Sequence, residues 1–128
     1  MTRLVEAIRR ELINGRLPCA RAFALAEEYG LSPRTVGDEA TRQSLKISRC
    51  QLGLFGYDDL GERRIVKPAA EVSRALKEVI SSRLVEGKAP CLVIWEIASE
   101  RKLTKIEVAG AIETLGLRIS DCQLGCFK

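Results

Sequence analysis

The fold is decided by residues 25–36, which read LAEEYGLSPRTV. The first half has the alanine and glutamate content of a helix and ends at Gly30, a residue type that commonly terminates helices. Ser32 then offers a side-chain oxygen for a helix N-cap, and Pro33 suits the first position of the next helix. The segment therefore predicts two helices joined by a tight turn.

A complete structural unit is predicted around this segment. Upstream, apolar residues between positions 4 and 13 recur at helical spacing, and Gly15 follows as a stop. Pro18 biases the residue before it away from the helix, so a short extended piece is expected there. Downstream, residues 45–50 alternate between apolar and polar types as a strand does. The predicted order is helix, short strand, helix, turn, helix, strand.

The same unit occurs a second time, 72 positions further along the chain. Residues 3–56 align with residues 75–128 without a gap, and 19 of the 54 positions are identical. The densest match joins residues 45–55 to residues 117–127, which share the pattern LxISxCQLGxF. Chance does not produce an ungapped match of this density, so the chain is an internal duplication.

Each unit resembles the winged-helix form of the helix-turn-helix family, found as tandem DNA-binding units in prokaryotic regulators. The resemblance rests on Ala26 in the first helix, Gly30 in the turn, the Leu31-Ser32 pair that opens the second helix, and Val36 four residues beyond the serine. In this family the second helix of the pair enters the major groove of DNA. The resemblance therefore implies a DNA-binding regulator.

The sequence departs from the family pattern in two places. A full wing needs two strands joined by a hairpin, and residues 50–55 leave little room for one. In addition, the second copy has Lys102 where the first has Gly30. A lysine there must adopt left-handed backbone geometry or use a different turn.

The domain organisation follows from the repeat. A unit of about 55 residues buries little core alone, whereas two units can cover each other's apolar faces. We therefore expect a mainly α protein with short β strands, in which two tandem winged-helix-like units form an intramolecular pseudo-two-fold dimer. The expected boundaries are 1–57 for the first repeat, 58–69 for a charged linker and 70–128 for the second repeat.

The resemblance implies a set of DNA-contacting residues, centred on the third helix of the first repeat. Arginine pairs with guanine, glutamine with adenine, and a threonine methyl group contacts thymine, while basic side chains on the strand contact phosphates. The second copy is less suited because Glu107 and Glu113 would oppose phosphates. The predicted DNA-binding residues are Arg34, Thr35, Thr41, Arg42, Gln43, Lys46, Arg49 and Lys105.

Composition limits the other classes of function. The 128 residues carry 21 Lys+Arg against 17 Asp+Glu, and 46% are hydrophobic, which is typical of a globular domain. There is no histidine, which removes Ser-His-Asp and Cys-His catalysis and any metal site built on imidazole. No GxGxxG or GxxxxGK[ST] nucleotide motif occurs. We therefore expect no enzyme activity, no cofactor and no bound metal.

Four of the five cysteines occupy equivalent places in the two copies, namely Cys19 with Cys91 and Cys50 with Cys122. Cys19 and Cys91 each follow a proline at a helix start, where the helix dipole lowers the pKa of a thiol. The alternatives are core packing, a thiol pair or Cys₄ site with metal or redox chemistry, and an organic or oxyanion ligand. Core packing is favoured because the chain contains no CxxC pair.

Two functions remain in competition after this reading. The first is sequence-specific binding of double-stranded DNA in transcriptional control. The second is a winged-helix module that does not bind DNA, senses a metal or redox state through the symmetric cysteines, or docks a protein partner through the second repeat. No apolar run approaches the ~20 residues that cross a bilayer, so we expect a cytoplasmic protein without a membrane partner. The sequence leaves open whether two copies of the chain form a homodimer.

Overall fold

The computed structural model describes residues 2–62 and 64–128 and divides into two compact units. Unit 1 comprises residues 1–64 together with 123–126, and unit 2 comprises residues 65–122 together with 127–128. The short segment 123–126 therefore belongs to the second repeat by sequence and to unit 1 by packing. In the described residues, no helix combines the length and apolar character that a bilayer crossing requires.

Unit 1 contains three α-helices that pack against one another in all three pairings. Its elements are α1 Thr2–Arg10, β1 Leu17–Pro18, α2 Cys19–Tyr29, α3 Pro33–Arg42, β2 Ile47–Ser48 and a 3₁₀ turn at Asp58–Leu60. Ile8, Leu17 and Val36 are completely buried at the centre, because the apolar spacing of each element directs one face inward.

Unit 2 repeats the local structure of unit 1. Its elements are α4 Arg74–Ser82, β3 Lys88–Pro90, α5 Cys91–Arg101, α6 Lys105–Thr114 and β4 Arg118–Ser120. Each helix begins and ends 72 positions after its counterpart in unit 1. The predicted mainly helical class with short strands is confirmed.

The strands are shorter than the sequence pattern predicts. Their bounds are set by Arg49 and Asp121, whose φ values of 52° and 51° leave the extended region of the backbone. β1 pairs with β2 in parallel, as β3 does with β4. Among the described residues no further strand follows β2 within unit 1 or β4 within unit 2, so the hairpin of a wing is not part of the described structure.

The first helix ends earlier than its apolar spacing predicts, because an Asn-Gly turn interrupts it. Asn14 and Gly15 both have positive φ values, 53° and 76°. Ile13 and Arg16 exchange both backbone hydrogen bonds across them, at 2.8 and 3.0 Å. Asn-Gly is the dipeptide that favours this type of two-residue turn. The turn brings Arg16 back alongside the body of unit 1.

Lys102 adopts the left-handed conformation that Gly30 supplies in the first copy. The backbone angles are φ 63° and ψ 34° at Gly30, and φ 56° and ψ 41° at Lys102. The second unit therefore forms the same turn as the first, with Lys102 in the left-handed conformation, and does not use a different turn.

Candidate functional site

The α2–turn–α3 pair of unit 1 is held by local interactions. Gly30 closes α2, and the Leu31 N–H donates to the Ala26 carbonyl oxygen at 2.8 Å. Ser32 begins the next helix, because its hydroxyl oxygen accepts a hydrogen bond from the Thr35 N–H at 3.1 Å. Val36, fully buried, fixes one face of α3 in the core.

The opposite face of α3 presents polar side chains to solvent. Arg34 is 66% exposed, and its Nε donates to Asp38 Oδ1 at 2.9 Å. Thr41 is exposed, and its hydroxyl donates to the Gly37 carbonyl at 3.1 Å, which leaves its methyl group available for contact. Thr35 is half-buried, and its hydroxyl lies 2.8 Å from that of Ser32 in the cap. Together with Arg42, whose side chain is 67% exposed, Arg34 and Thr41 form the accessible part of the predicted set on α3.

Arg42 and Gln43 have structural partners. The guanidinium of Arg42 forms an ion pair with the carboxylate of Glu39, a residue that is only 3% exposed. Gln43 accepts a hydrogen bond from Arg9 of α1 at 3.3 Å. A buried carboxylate needs a cation nearby, so Arg42 contributes to the stability of α3 as well as to its charge.

The other predicted DNA-binding residues lie on different elements. Lys46 is exposed just before β2, and its carbonyl accepts from the Leu17 N–H at 2.9 Å. Arg49 follows β2, with its guanidinium 5.3 Å from the centroid of the Tyr57 ring. Lys105 starts α6 in unit 2, with Nζ 4.3 Å from the centroid of the Trp95 ring. The structure thus brings four of the predicted residues together on α3 and leaves Arg49 and Lys105 elsewhere.

One side of α3 is covered by the segment 123–126 within unit 1. A Cβ at Gly37 would lie 1.9 Å from the Leu124 carbonyl oxygen, so only glycine permits this approach. The backbone at Gly125 lies against the Arg34 side chain, since a Cβ there would be 2.5 Å from Arg34 Nε. The accessible stripe on α3 is therefore bounded on this side. The sequence held no signal for this long-range contact.

The third helix of unit 2 is enclosed. Residues 108–112 of α6 are all buried, and the linker segment near Ala69 lies against the helix. The Ala69 N–H donates to the Gly110 carbonyl at 3.0 Å, and the Thr114 hydroxyl donates to the Ala69 carbonyl at 2.7 Å. The middle of α6 is therefore covered, whereas Ile106 near its start and Leu115 at its end are half-buried.

The five cysteines differ in how deeply they are buried. Cys19, Cys50 and Cys91 are buried, Cys122 is half-buried and Cys126 is exposed. Over residues 2–62 and 64–128, no group of three or more cysteine or acidic side chains lies close enough together to hold a metal ion.

A hydrogen-bonded cluster joins Cys19 to the segment after β2. Gln51 Nε2 lies 3.4 Å from the Cys19 sulfur and donates to it. The Tyr57 hydroxyl donates to the Cys50 carbonyl at 2.7 Å. Burial raises the pKa of Tyr57 above its usual 10.0, and the neighbouring Cys50 thiol raises it further. The phenol stays protonated at neutral pH, so the cluster positions the Cys-Gln-Leu-Gly segment.

Unit 1 also contains a pocket of about 490 Å³ beside the start of α2. Its wall includes Arg16, Arg21, Arg49 and Ser48. Sequence reasoning assigned Arg49 to a DNA phosphate and passed over Arg16 and Arg21. The usable signal was the comparison of the two repeats, because the second copy lacks an arginine at all three positions.

No protein-family model, curated protein or solved structure matches this chain. The functional inference therefore depends on the geometry of the two units and on the chemistry of their side chains.

Proposed function

We propose that the protein is a sequence-specific DNA-binding protein that acts in transcriptional control, with α3 of unit 1 as the reading helix. The observation that carries the proposal is the α2–turn–α3 pair. Its second helix is anchored by Val36 and exposes Arg34 and Thr41. Arginine recognises guanine through two parallel hydrogen bonds, and the threonine methyl group suits the methyl of thymine.

The distribution of charge supports the same helix. Within residues 1–57, nine basic residues face six acidic ones, whereas residues 70–128 carry nine and eight. The surplus of positive charge therefore lies in the first repeat, where exposed Lys46 adjoins α3 and suits a phosphate contact. The enclosure of α6 argues against a second reading helix.

The finer architecture belongs to this proposal as well. We take the two units to be winged-helix-like and related by an approximate two-fold axis, as the gapless repeat suggests. A cytoplasmic location belongs to the same proposal. The sensor and docking functions remain alternatives with less support, because the described cysteines form no metal-binding group and residues 108–112 of α6 are buried.

The test compares two arginine substitutions that differ in place but not in chemistry. Arg34→Ala removes an exposed arginine that pairs with an acid four residues later on α3. Arg74→Ala does the same on α4, where Arg74 is 92% exposed and pairs with Glu78. Arg42 is a poor probe because its loss would leave the buried Glu39 carboxylate without its ion pair.

Binding is measured by fluorescence anisotropy against duplexes selected from a random pool, at about 50 and 200 mM salt. We expect Arg34→Ala to weaken binding to the selected duplex by roughly 5- to 150-fold, because one arginine–guanine pair is worth about 1–3 kcal/mol. Arg74→Ala should bind as the wild type does. Failure of the wild-type protein to enrich any duplex, or equal effects of the two substitutions, would contradict the proposal.

A further inference from the structure

We propose that the arginine pocket of unit 1 binds a small molecule that carries a phosphate group or a comparable doubly charged oxyanion. This pocket is the space beside the start of α2 whose wall includes Arg16, Arg21, Arg49 and Ser48. The inference does not depend on DNA reading, because none of these residues lies on α3.

Three arginines reach the pocket from three different elements. Arg16 follows the Asn-Gly turn, Arg21 lies in the first turn of α2, and Arg49 follows β2. Among the described residues of the wall, Asp58 is the one acid that accompanies them. Glu11 pairs with Arg21 from outside the wall, so three arginines stand against two carboxylates and the site keeps a net positive charge, which favours an anion.

Carboxylates position two of these arginines without using all their donors. Arg16 Nη1 donates to Asp58 Oδ2 at 2.9 Å, and Arg21 Nη1 donates to Glu11 Oε2 at 2.5 Å. A guanidinium has five N–H donors, so each arginine keeps several for a ligand. Tyr57 lies under the Arg49 guanidinium and limits its movement. Held in this way, the arginines lose little side-chain entropy when an anion binds.

Ser48 adds a hydroxyl group to the same wall. The residue is 6% exposed and lines the pocket. In unit 2 the equivalent Ser120 hydroxyl donates to Asp121 Oδ2 at 3.1 Å. Arg49 stands at the position of that aspartate, and a guanidinium has no acceptor atom. An oxyanion in the pocket would supply the acceptor in its place.

The start of α2 adds backbone donors to the same wall. Pro18 is the N-cap of this helix and offers no side-chain hydrogen bond to its first turn. Pro18 and Ala20 both line the pocket. The first N–H groups of a helix lack intrahelical acceptors, and together with the helix dipole they favour a nearby anion.

The second repeat is an internal control, because it keeps the fold and retains only one of the three positive charges, as Lys88 at the position of Arg16. Val93 stands at the position of Arg21, and Asp121 at that of Arg49. Leu92, which is 53% exposed, replaces Ala20. Helices with the same bounds form around these residues, so the fold does not require Arg21 or Arg49. The two arginines therefore account for the difference in charge between this region of unit 1 and the same region of unit 2.

The class of ligand follows from the donors and the size of the pocket. Arginine matches phosphate oxygens with two parallel hydrogen bonds, and a serine hydroxyl adds a further donor. The volume of about 490 Å³ falls in the range of small-molecule sites and leaves room beyond one phosphate group. Ile13 and Pro18 provide an apolar wall for an organic part. A phosphate monoester of a small metabolite fits this description.

The test uses the full chain with inorganic phosphate and phenyl phosphate as probes, measured by isothermal titration calorimetry at constant ionic strength. The variant is the double substitution Arg21→Val and Arg49→Asp, which installs the residues that the second repeat already accommodates. We expect saturable binding of both probes to the wild type. The double variant should bind at least about tenfold more weakly, since several charge-assisted hydrogen bonds are lost.

Two control variants separate this site from its surroundings. Lys88→Ala changes the counterpart of Arg16 in unit 2, and Arg34→Ala changes the reading helix. Both should bind phosphate as the wild type does, so a failure of the DNA-binding proposal leaves this result unaffected. Absence of binding at about 10 mM probe, or equal binding by the double variant, would overturn the inference. It would also be overturned if the double variant lost affinity equally for all DNA sequences while neither probe bound, because the arginines would then hold backbone phosphates.

Discussion

Replacing Gly37 with alanine should detach the segment 123–126 from α3. A methyl group on Gly37 would lie 1.9 Å from the Leu124 carbonyl oxygen and 2.8 Å from its carbonyl carbon. These are backbone atoms, which cannot rotate away as the end of a side chain can. The segment must therefore move, and Leu124, now 2% exposed, must leave its buried position.

The expected change in stability follows from two opposing contributions. Burial of a leucine side chain is worth about 1.5–3 kcal/mol, and detachment forfeits most of it. Alanine in place of glycine in a helix returns up to about 1 kcal/mol. We therefore expect Gly37→Ala to lower the free energy of unfolding of unit 1 by about 1–2 kcal/mol. At about 4–8 °C per kcal/mol for a unit of this size, its melting temperature would fall by about 4–16 °C.

Thermal and urea unfolding, followed by circular dichroism, would measure the effect in two backgrounds. In the full chain, Gly37→Ala should lower the free energy of unfolding. In a chain that ends at Cys122 the clash is absent, so the same substitution should be neutral or stabilise by up to about 1 kcal/mol. The fold accepts alanine at this helical position, since Ala109 occupies it in α6. Equal destabilisation in both backgrounds would refute the reasoning.

Two further predictions concern unit 2. Lys102→Gly should raise the free energy of unfolding by about 1 kcal/mol, because glycine tolerates the left-handed φ of 56° that lysine strains to adopt; an unchanged urea midpoint would contradict it. The backbone N–H of Thr104, followed by its hydroxyl, lowers the pKa of the Glu107 carboxyl. The ionised Glu107 carboxylate therefore contributes fully to the free energy of unfolding above the pKa that it has in the unfolded chain. This contribution is lost as the pH falls through the lower pKa that it has in the folded protein. The Glu107→Gln variant should therefore lose less stability than the wild type when the pH is lowered below about 4.5. The melting temperature of both proteins is measured against pH. Identical curves at acidic pH would show that ionisation of Glu107 does not contribute to stability.

The sequence carried most of the local structure. The caps at Ser32 and Thr104, the stop at Gly30 and the 72-residue repeat all lie within short stretches of chain, and the helices follow them closely. The exceptions are also local in origin. The Asn14-Gly15 turn shortened the first helix, and left-handed residues after the strands shortened each pairing. Apolar spacing alone does not register such turns.

The residues of the candidate site also differ in whether local sequence or tertiary packing determines their surroundings. The exposed positions of α3 follow from helical periodicity, so the sequence was enough to nominate Arg34 and Thr41. The partners that occupy Arg42 and Gln43 come from packing, as does the coverage of Gly37 by Leu124. These contacts join side chains whose environment depends on how elements pack, which no local pattern encodes.

By itself, the sequence determined that the chain is a duplicated helical unit with a tight turn before each third helix and a surplus of positive charge in the first copy. Only the tertiary structure decided that α6 is enclosed, and that Arg16, Arg21, Arg49 and Ser48 line one pocket. The physical reason is the range of the interactions. Caps and periodicity act within a few residues, whereas the pocket joins a turn, a helix start and a strand end that the parallel pairing of β1 with β2 brings together.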